Sequence, residues 1–144
     1  MKYLIALFLV AFLAFGCDDD DDNNDHEYHL ENIGVKTVNL PDSFTYGEIY
    51  KITGTIELPN SCYYYYNQYD YFYEGTTRII YPLAHVDDGV SCTTNTSVAN
   101  FVIPLHVLQE ETYTFKFYQG LDDQGEEMFL VIDVPVGDVT VPNN

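Results

Sequence analysis

Basic side chains are scarce in this chain. Lys and Arg together number 5 among 144 residues, against 23 Asp and Glu, and the formal net charge is -18. Nucleic-acid binding draws its affinity from Lys and Arg that neutralise phosphates, and anionic lipid surfaces attract basic segments. This charge balance therefore excludes a nucleic-acid partner and direct electrostatic attraction to an anionic membrane surface.

Tryptophan is absent, and so is any long stretch with the 3.6-residue apolar period of a helix. Aromatic residues nevertheless make up 16% of the chain, and the apolar content of 47% is too high for a wholly disordered chain. From Val35 onward, apolar and polar residues alternate in short runs that are broken by Gly, Pro and Asn. This period-two pattern predicts an all-β domain, and the length leaves room for one domain.

The signatures of common catalytic sites are missing as well. No serine has the G-x-S-x-G context of a hydrolase nucleophile, and no glycine-rich phosphate loop leads from a strand into a helix. The remaining polar candidates are interpreted as ordinary residues of a tether, a loop or a strand surface: His26, His29, His85 with Asp87 and Asp88, and His106. We therefore predict no catalytic residue, no cofactor and no bound metal, and we expect a protein that is not an enzyme.

Acidic residues cluster in two places. One cluster is the run of five Asp at 18–22, and the other surrounds a predicted hairpin turn and comprises Asp122, Asp123, Glu126 and Glu127. Carboxylates are calcium ligands, but they bind calcium weakly without a preorganised loop. A solvated spacer and a charged turn that resists aggregation are the favoured interpretations. Calcium binding by the hairpin stays open.

The N-terminus has the pattern of an export signal. Lys2 is followed by 13 uncharged residues at 3–15. A helix needs about 20 apolar residues to span a bilayer, whereas a positive start and a shorter apolar run are typical of a secretory signal. We predict that residues 1–16 are a signal peptide that is removed.

The end of this signal has a further motif, Leu-Ala-Phe-Gly-Cys at 13–17. It resembles the lipobox of bacterial lipoproteins, in which a diacylglycerol is attached to the Cys thiol and the chain is cut just before it. The resemblance implies that Cys17 is the lipidated N-terminus and that the lipid anchor holds the protein on a membrane. Two residues depart from the family pattern: Ala14 stands where Leu is usual, and Phe15 is bulky. Cleavage by an ordinary signal peptidase after Gly16 is the alternative.

Residues 17–32 are predicted to be the lipidated Cys and an acidic, disordered tether, because consecutive carboxylates repel each other and bury nothing. Cys17 followed by an acidic run resembles the export signal of Bacteroidota surface lipoproteins. The resemblance implies an outer-membrane lipoprotein of the cell envelope, with its periplasmic or external location left open. The alternative is a plain spacer between the lipid and the domain.

Cysteine numbers predict one disulfide. The chain has three Cys, and acylation of Cys17 leaves the pair Cys62 and Cys92. Disulfides form and persist in exported proteins, and neither residue has a His or Cys partner at metal-ligand spacing. We therefore expect a bond between Cys62 and Cys92.

Seven strands are predicted within a domain at 33–137, followed by a flexible tail at 138–144. They cover residues 35–40, 48–58, 62–73, 78–84, 98–107, 112–119 and 126–136. Seven short strands that are separated by turn signals favour a β-sandwich. Pro104 has no backbone N–H for a strand ladder and therefore predicts a bulge or an edge position for the fifth strand.

One corner of the domain carries a more specific pattern. It reads Leu-His-Val-Leu at 105–108, Gln-Glu-Glu at 109–111 and Thr-Tyr-Thr-Phe at 112–115, and it resembles the E-to-F crossing of immunoglobulin-like domains. The resemblance implies a hydrogen bond between the Tyr113 hydroxyl and the backbone of the corner. The missing Trp and the positions of the cysteines depart from antibody domains. The expected fold is an immunoglobulin-like β-sandwich of about seven strands, similar to modules of bacterial surface lipoproteins.

Residues 62–73 form a tyrosine-rich segment. In a strand, successive side chains alternate between two faces. One face then carries Tyr63, Tyr65, Tyr69, Tyr71 and Tyr73, and the other carries Tyr64, Tyr66, Gln68, Asp70 and Phe72. Burying both faces would leave many hydroxyls unpaired, so some of these tyrosines should be exposed.

Exposed tyrosines suit a glycan or protein ligand, because each offers a flat apolar ring and a polar tip. We predict ligand contacts by Tyr64, Tyr66, Tyr69 and Tyr71. The leading hypothesis is a lipid-anchored, non-enzymatic envelope domain that binds or adheres through this segment. The alternatives are a structural accessory subunit of an envelope assembly, and tyrosines that only fill a half-exposed sheet face.

Overall fold

A computed structural model describes residues 27–137, and within this range the chain forms ten strands and no helix. The strands are β1 (Tyr28–Asn32), β2 (Val35–Asn39), β3 (Phe44–Thr45), β4 (Ile49–Leu58), β5 (Tyr63–Glu74), β6 (Thr77–Asp87), β7 (Ser97–His106), β8 (Tyr113–Leu121), β9 (Glu127–Val134) and β10 (Val136–Gly137). Across the described range, the chain has no helix long and apolar enough to cross a membrane. The prediction of an all-β domain is confirmed.

The strands form a sheet of five, a sheet of three and a short parallel pair, β3 with β10. In the five-stranded sheet, β6 is central. Strand β5 pairs along one edge of β6, while β8 and β1 share the other edge end to end, and β9 pairs with β8. The three-stranded sheet has the order β2-β4-β7. Strands β6 and β8 run parallel, which departs from the antiparallel sheets of immunoglobulin domains.

The core lies between the two larger sheets, where the period-two alternation directs apolar side chains inward. Strand β4 contributes Ile52 and Ile56, β7 contributes Phe101, and β8 contributes Phe115 and Phe117; all five are almost fully buried. The rings of Phe101 and Phe117 meet across the sheets with centroids 6.2 Å apart. Burial of each such side chain contributes roughly 1.5–3 kcal/mol, so this interface is the main source of stability.

Each of the seven predicted strands is present, and the structure adds β1, β3 and β10. The prediction of a tether is wrong over residues 28–32, because β1 pairs with residues 83–87 of β6. All five side chains of β1 are exposed, so the segment has no buried alternate residues that would reveal a strand. Strand β6 also extends past its predicted end at 84, which leaves an edge for β1 to pair with. The leader at 1–16, Cys17, the acidic run at 18–22 and the candidate His26 lie outside the described residues, and so does the tail at 138–144.

Two predictions from single residues are confirmed. Within residues 27–137, strand β7, which carries Pro104, pairs with β4 alone and is an edge strand of its sheet. The Tyr113 hydroxyl accepts hydrogen bonds from the backbone N–H groups of Leu108 at 3.1 Å and Gln109 at 3.4 Å. This contact fixes the corner between β7 and β8.

The predicted disulfide between Cys62 and Cys92 is present, with the two Cα atoms 5.4 Å apart. It joins the start of β5 to the irregular segment before β7. A backbone hydrogen bond from Ser61 N–H to the Thr93 carbonyl supports the same junction. Cys62 is fully buried, so the bond anchors the loop to the end of the sandwich.

His29 provides a test of where β1 lies. Its Nδ1 is 2.7 Å from Oδ2 of Asp88. This hydrogen bond is the main cause that raises the pKa of His29 above its ordinary value of 6.5, although partial desolvation opposes the shift. Asp88→Asn is therefore expected to lower the pKa of His29 toward 6.5, measured from the imidazole proton shifts in an NMR pH titration.

The sign of the shift also fixes its effect on stability. Because the folded-state pKa is raised, the contact stabilises the fold fully below pH 6.5, and this contribution is lost as the pH rises through the folded-state value. Glu57→Gln is the matched control, since it removes a carboxylate that pairs with Lys36 on the other sheet. A His29 titration that does not respond to Asp88→Asn would contradict the β1 pairing and favour the tether.

Candidate functional site

Strand β5, which contains most of the tyrosine-rich segment, has a bulge near its middle. Between Tyr64 and Gln68 it advances four positions, while the paired residues on β6 advance two, from His85 to Leu83. Asn67 within the bulge has a left-handed φ of 56°, which Asn adopts more readily than most residues. A bulge increases the local twist of a strand and turns its edge.

The Asn67 side chain joins the edges of the two sheets. Its amide nitrogen donates to the Val102 carbonyl at 2.9 Å, and its amide oxygen accepts from the Val102 N–H at 2.8 Å. Val102 lies on β7, so this side chain occupies both main-chain bonding groups of one residue on an edge strand. The bonded pair holds β5 beside β7.

A cleft of about 490 Å³, here called the edge cleft, lies between the edges of β5 and β7. Its lining is mostly aromatic and apolar and comprises Tyr69, Tyr71, Tyr73, Arg78, Ile103, Pro104, Leu105, His106, Leu108 and Tyr113. The ring centroids of Tyr69 and Tyr71 are 6.5 Å apart, and those of Tyr71 and Tyr73 are 5.1 Å apart. Three tyrosine rings therefore follow one another along one side of the cleft.

Arg78 forms part of the floor of the edge cleft. It is 8% exposed, and its guanidinium lies against the rings of Tyr73 and Tyr113, at 4.7 and 5.0 Å from the ring centroids. One terminal nitrogen donates to the carbonyls of Gly75 and Thr77, and the other donates to the side-chain oxygen of Gln109. All three acceptors are neutral.

The tyrosines along the cleft offer polar hydroxyl groups. Burial raises the pKa of Tyr71 well above 10.0, although the positive charge of Arg78 opposes the shift. Burial likewise raises the pKa of the neighbouring Tyr65 to about 12. Among residues 27–137, the hydroxyls of Tyr69, Tyr71 and Tyr73 have no hydrogen-bond partner. They are free to donate to, and accept from, a ligand.

The opposite side of the five-stranded sheet carries a second aromatic surface. Its rings are in mutual contact and form the outer aromatic face, made of Phe72, Tyr81, Tyr118 and Phe129. The Tyr81 hydroxyl donates to Glu127 at 2.8 Å, and burial followed by this bond raises the pKa of Tyr81 to about 12. A hollow of about 520 Å³ beside these rings includes the carboxylates of Asp70, Glu74 and Glu127.

The structure divides the four predicted ligand residues between two surfaces. Tyr69 and Tyr71 line the edge cleft, whereas Tyr64 and Tyr66 are exposed on the outer side of β5. The four therefore do not form one continuous contact. Three further residues of the cleft, Tyr73, Arg78 and His106, were not among the predicted contacts, although Arg78 is the only arginine in the sequence.

Among the candidates within residues 27–137, His85, Asp88 and His106 are held by separate contacts. His85 Nε2 is 2.8 Å from the Gln68 side-chain oxygen, Asp88 bonds to His29 on β1, and His106 contacts the Gly47 carbonyl. The three contacts involve three different partners. His106, on β7 of the three-stranded sheet, belongs to the edge cleft, whereas His85, on β6, lies on the outer side of the five-stranded sheet.

In the acidic hairpin, the Asp122 carboxylate forms hydrogen bonds within the turn itself. One carboxylate oxygen of Asp122 accepts from the backbone N–H groups of Gln124 and Glu126, at 2.8 and 2.9 Å. Within the described part of the chain, no three His, Cys, Asp or Glu side chains come together as metal ligands.

Comparison of the chain with protein-family models, with curated proteins and with solved structures gives no match.

Proposed function

We propose that this protein is a lipid-anchored, non-enzymatic binding domain of the bacterial cell envelope, and that its ligand is a glycan bound along β5. The motif at 13–17 supports the anchor at Cys17, and the acidic run after it supports an outer-membrane lipoprotein of Bacteroidota type. The corner at Tyr113 supports an immunoglobulin-like sandwich, with the parallel pair β6–β8 as a departure.

One observation carries the proposal of ligand binding. The edge cleft presents three successive tyrosine rings whose hydroxyls lack partners among the described residues. Flat rings stack on the apolar faces of sugars, and the free hydroxyls match their polar edges. Clefts that combine an aromatic lining with a few polar groups are the common form of ligand site.

Within the tyrosine-rich segment, we assign the glycan contact to the face of β5 that lines the edge cleft and carries Tyr69, Tyr71 and Tyr73. Tyr73 is 71% exposed at the rim of the cleft, and Tyr66 is 70% exposed on the outer side. The two residues are thus matched in type, strand and exposure. Because Tyr73 also borders the outer hollow, Tyr69→Ser is added, at a residue that lines the edge cleft and not that hollow. Tyr66→Ser is the control on the outer side of β5.

The experiment uses the full chain purified from membranes in detergent and applied to an array of bacterial and host glycans. The wild type should bind at least one glycan class, Tyr69→Ser and Tyr73→Ser should each lose about tenfold or more in affinity, and Tyr66→Ser should keep it. The reverse pattern would move the contact to Tyr64 and Tyr66. Absence of binding to every glycan would refute the glycan proposal.

The outer aromatic face favours a second candidate function, that of an accessory subunit in an envelope assembly. Phe72 is half exposed there, and Leu30 and Val131 lie exposed on the same sheet face. Exposed apolar patches commonly mark protein interfaces. A stoichiometric protein that co-purifies with the wild type from solubilised membranes, and is lost with Phe72→Ser, would favour this role over glycan binding.

A further inference from the structure

Arg78 is a buried cation without a carboxylate partner among residues 27–137. Buried charges are normally paired, since isolation from water is costly. From this we infer that the edge cleft binds a sugar that bears a carboxylate, and that Arg78 holds that carboxylate. The inference rests on the proposed function and names the ligand class of the same site.

The guanidinium retains donors for such a group. Of its five N–H donors, three are used by the carbonyls of Gly75 and Thr77 and by Gln109. The two others have no acceptor in the described part of the chain. A carboxylate bound by arginine commonly takes two N–H donors side by side. The contacts with Tyr73 and Tyr113 hold the guanidinium plane in one orientation before any ligand arrives.

The charge around the cleft fits one carboxylate. The chain contains 23 Asp and Glu, but none of those within residues 27–137 lines the edge cleft, and Arg78 is the charged side chain that does. The net charge of -18 repels a polyanion at long range. A short glycan with a single acidic unit is therefore favoured over a highly charged polymer.

A peptide carboxylate is the competing ligand, and the fold disfavours it. Peptides commonly bind an exposed sheet edge by adding a strand. The edge of β7 beside the cleft is closed to strand addition at Val102, because Asn67 occupies both of its main-chain bonding groups. The free hydroxyls of Tyr69, Tyr71 and Tyr73 instead suit the several hydroxyls of a sugar ring.

The test is a set of ligand-observed NMR titrations on the full chain in detergent. The probes are glucuronate, galacturonate and mannuronate, each compared with its neutral hexose, and N-acetylglycine as a carboxylate without a sugar. At least one uronate should bind about tenfold or more tightly than its neutral hexose and than N-acetylglycine, as expected for an added charge-assisted contact.

Variants assign this preference to Arg78. Arg78→Met should reduce the uronate affinity to that of the neutral hexose, whereas Lys116→Met, which removes an equal charge from the outer face, should leave the preference intact. Tyr73→Ser covers the case in which Arg78→Met fails to fold, because Tyr73 is exposed and should tolerate substitution; it should weaken uronate binding about tenfold.

The outcomes separate the two proposals. Equal binding of uronates and hexoses, lost in Tyr73→Ser, would overturn the carboxylate inference and leave glycan binding standing. N-acetylglycine binding as tightly as the best uronate would identify a peptide carboxylate and overturn the sugar assignment. Absence of binding by every sugar probe, in a protein that binds a glycan on the array, would overturn the carboxylate inference and leave glycan binding standing. Absence of binding both to these probes and to the array would refute both proposals.

Discussion

Removal of the Cys62–Cys92 bond is expected to lower the free energy of unfolding by roughly 3–4 kcal/mol. The bond closes a loop that spans 30 positions, and an open loop gives the unfolded chain more conformations. A domain of this size is typically stable by about 5–15 kcal/mol, so the loss is a large share of the total. Because Cys62 is buried, Ala is the suitable replacement: it is small and does not place an unpaired polar group in the core.

The measurement is urea unfolding of Cys62→Ala/Cys92→Ala beside the wild type, with and without a reductant. The reductant should shift the wild-type midpoint to that of the double variant and should have no effect on the variant itself. A midpoint that is equal in all four samples would show that the bond is not formed or does not constrain the unfolded chain.

Phe101→Ala should cost about 3–5 kcal/mol of folding stability. The ring is fully buried and faces Phe117 across the two sheets, so its loss opens a cavity at the sheet interface. Because the two rings contact each other, the double variant with Phe117→Ala should destabilise by less than the sum of the single variants.

The matched control for this prediction is Val98→Ala on the same strand. Val98 is 68% exposed and points away from the core, so its truncation should change stability by less than about 0.5 kcal/mol. Calorimetric or denaturant unfolding of the four variants supplies the comparison. Similar losses for Phe101→Ala and Val98→Ala would contradict the two-layer packing.

The sequence carries enough information to predict the strands that face the core. Burial on one face of a strand requires apolar residues two or four positions apart. This spacing is present in β4, at Ile52 and Ile56, and in β8, at Phe115 and Phe117. The disulfide and the Tyr113 corner are also foreseeable, because each depends on a few side chains with narrow chemical roles.

The three strands that were not predicted, β1, β3 and β10, have no repeating pattern of buried apolar residues. All side chains of β1 are exposed, and β3 and β10 have two residues each, so their strand geometry depends on backbone pairing with distant partners. The bulge at Asn67 is likewise a tertiary feature, set by its bonds to Val102. This bulge and the edge-to-edge approach of β5 and β7 create the cleft beside Arg78, which a sequence pattern does not reveal.

Ligand binding between the edges of β5 and β7 should slow backbone exchange there. The measurement is hydrogen–deuterium exchange of the full chain, with and without a saturating concentration of the tightest-binding uronate. We predict slower exchange confined to peptides that cover residues 69–73 and 103–108. Unchanged exchange in these peptides, or protection at residues 79–81 and 127–131 instead, would contradict ligand binding in the edge cleft.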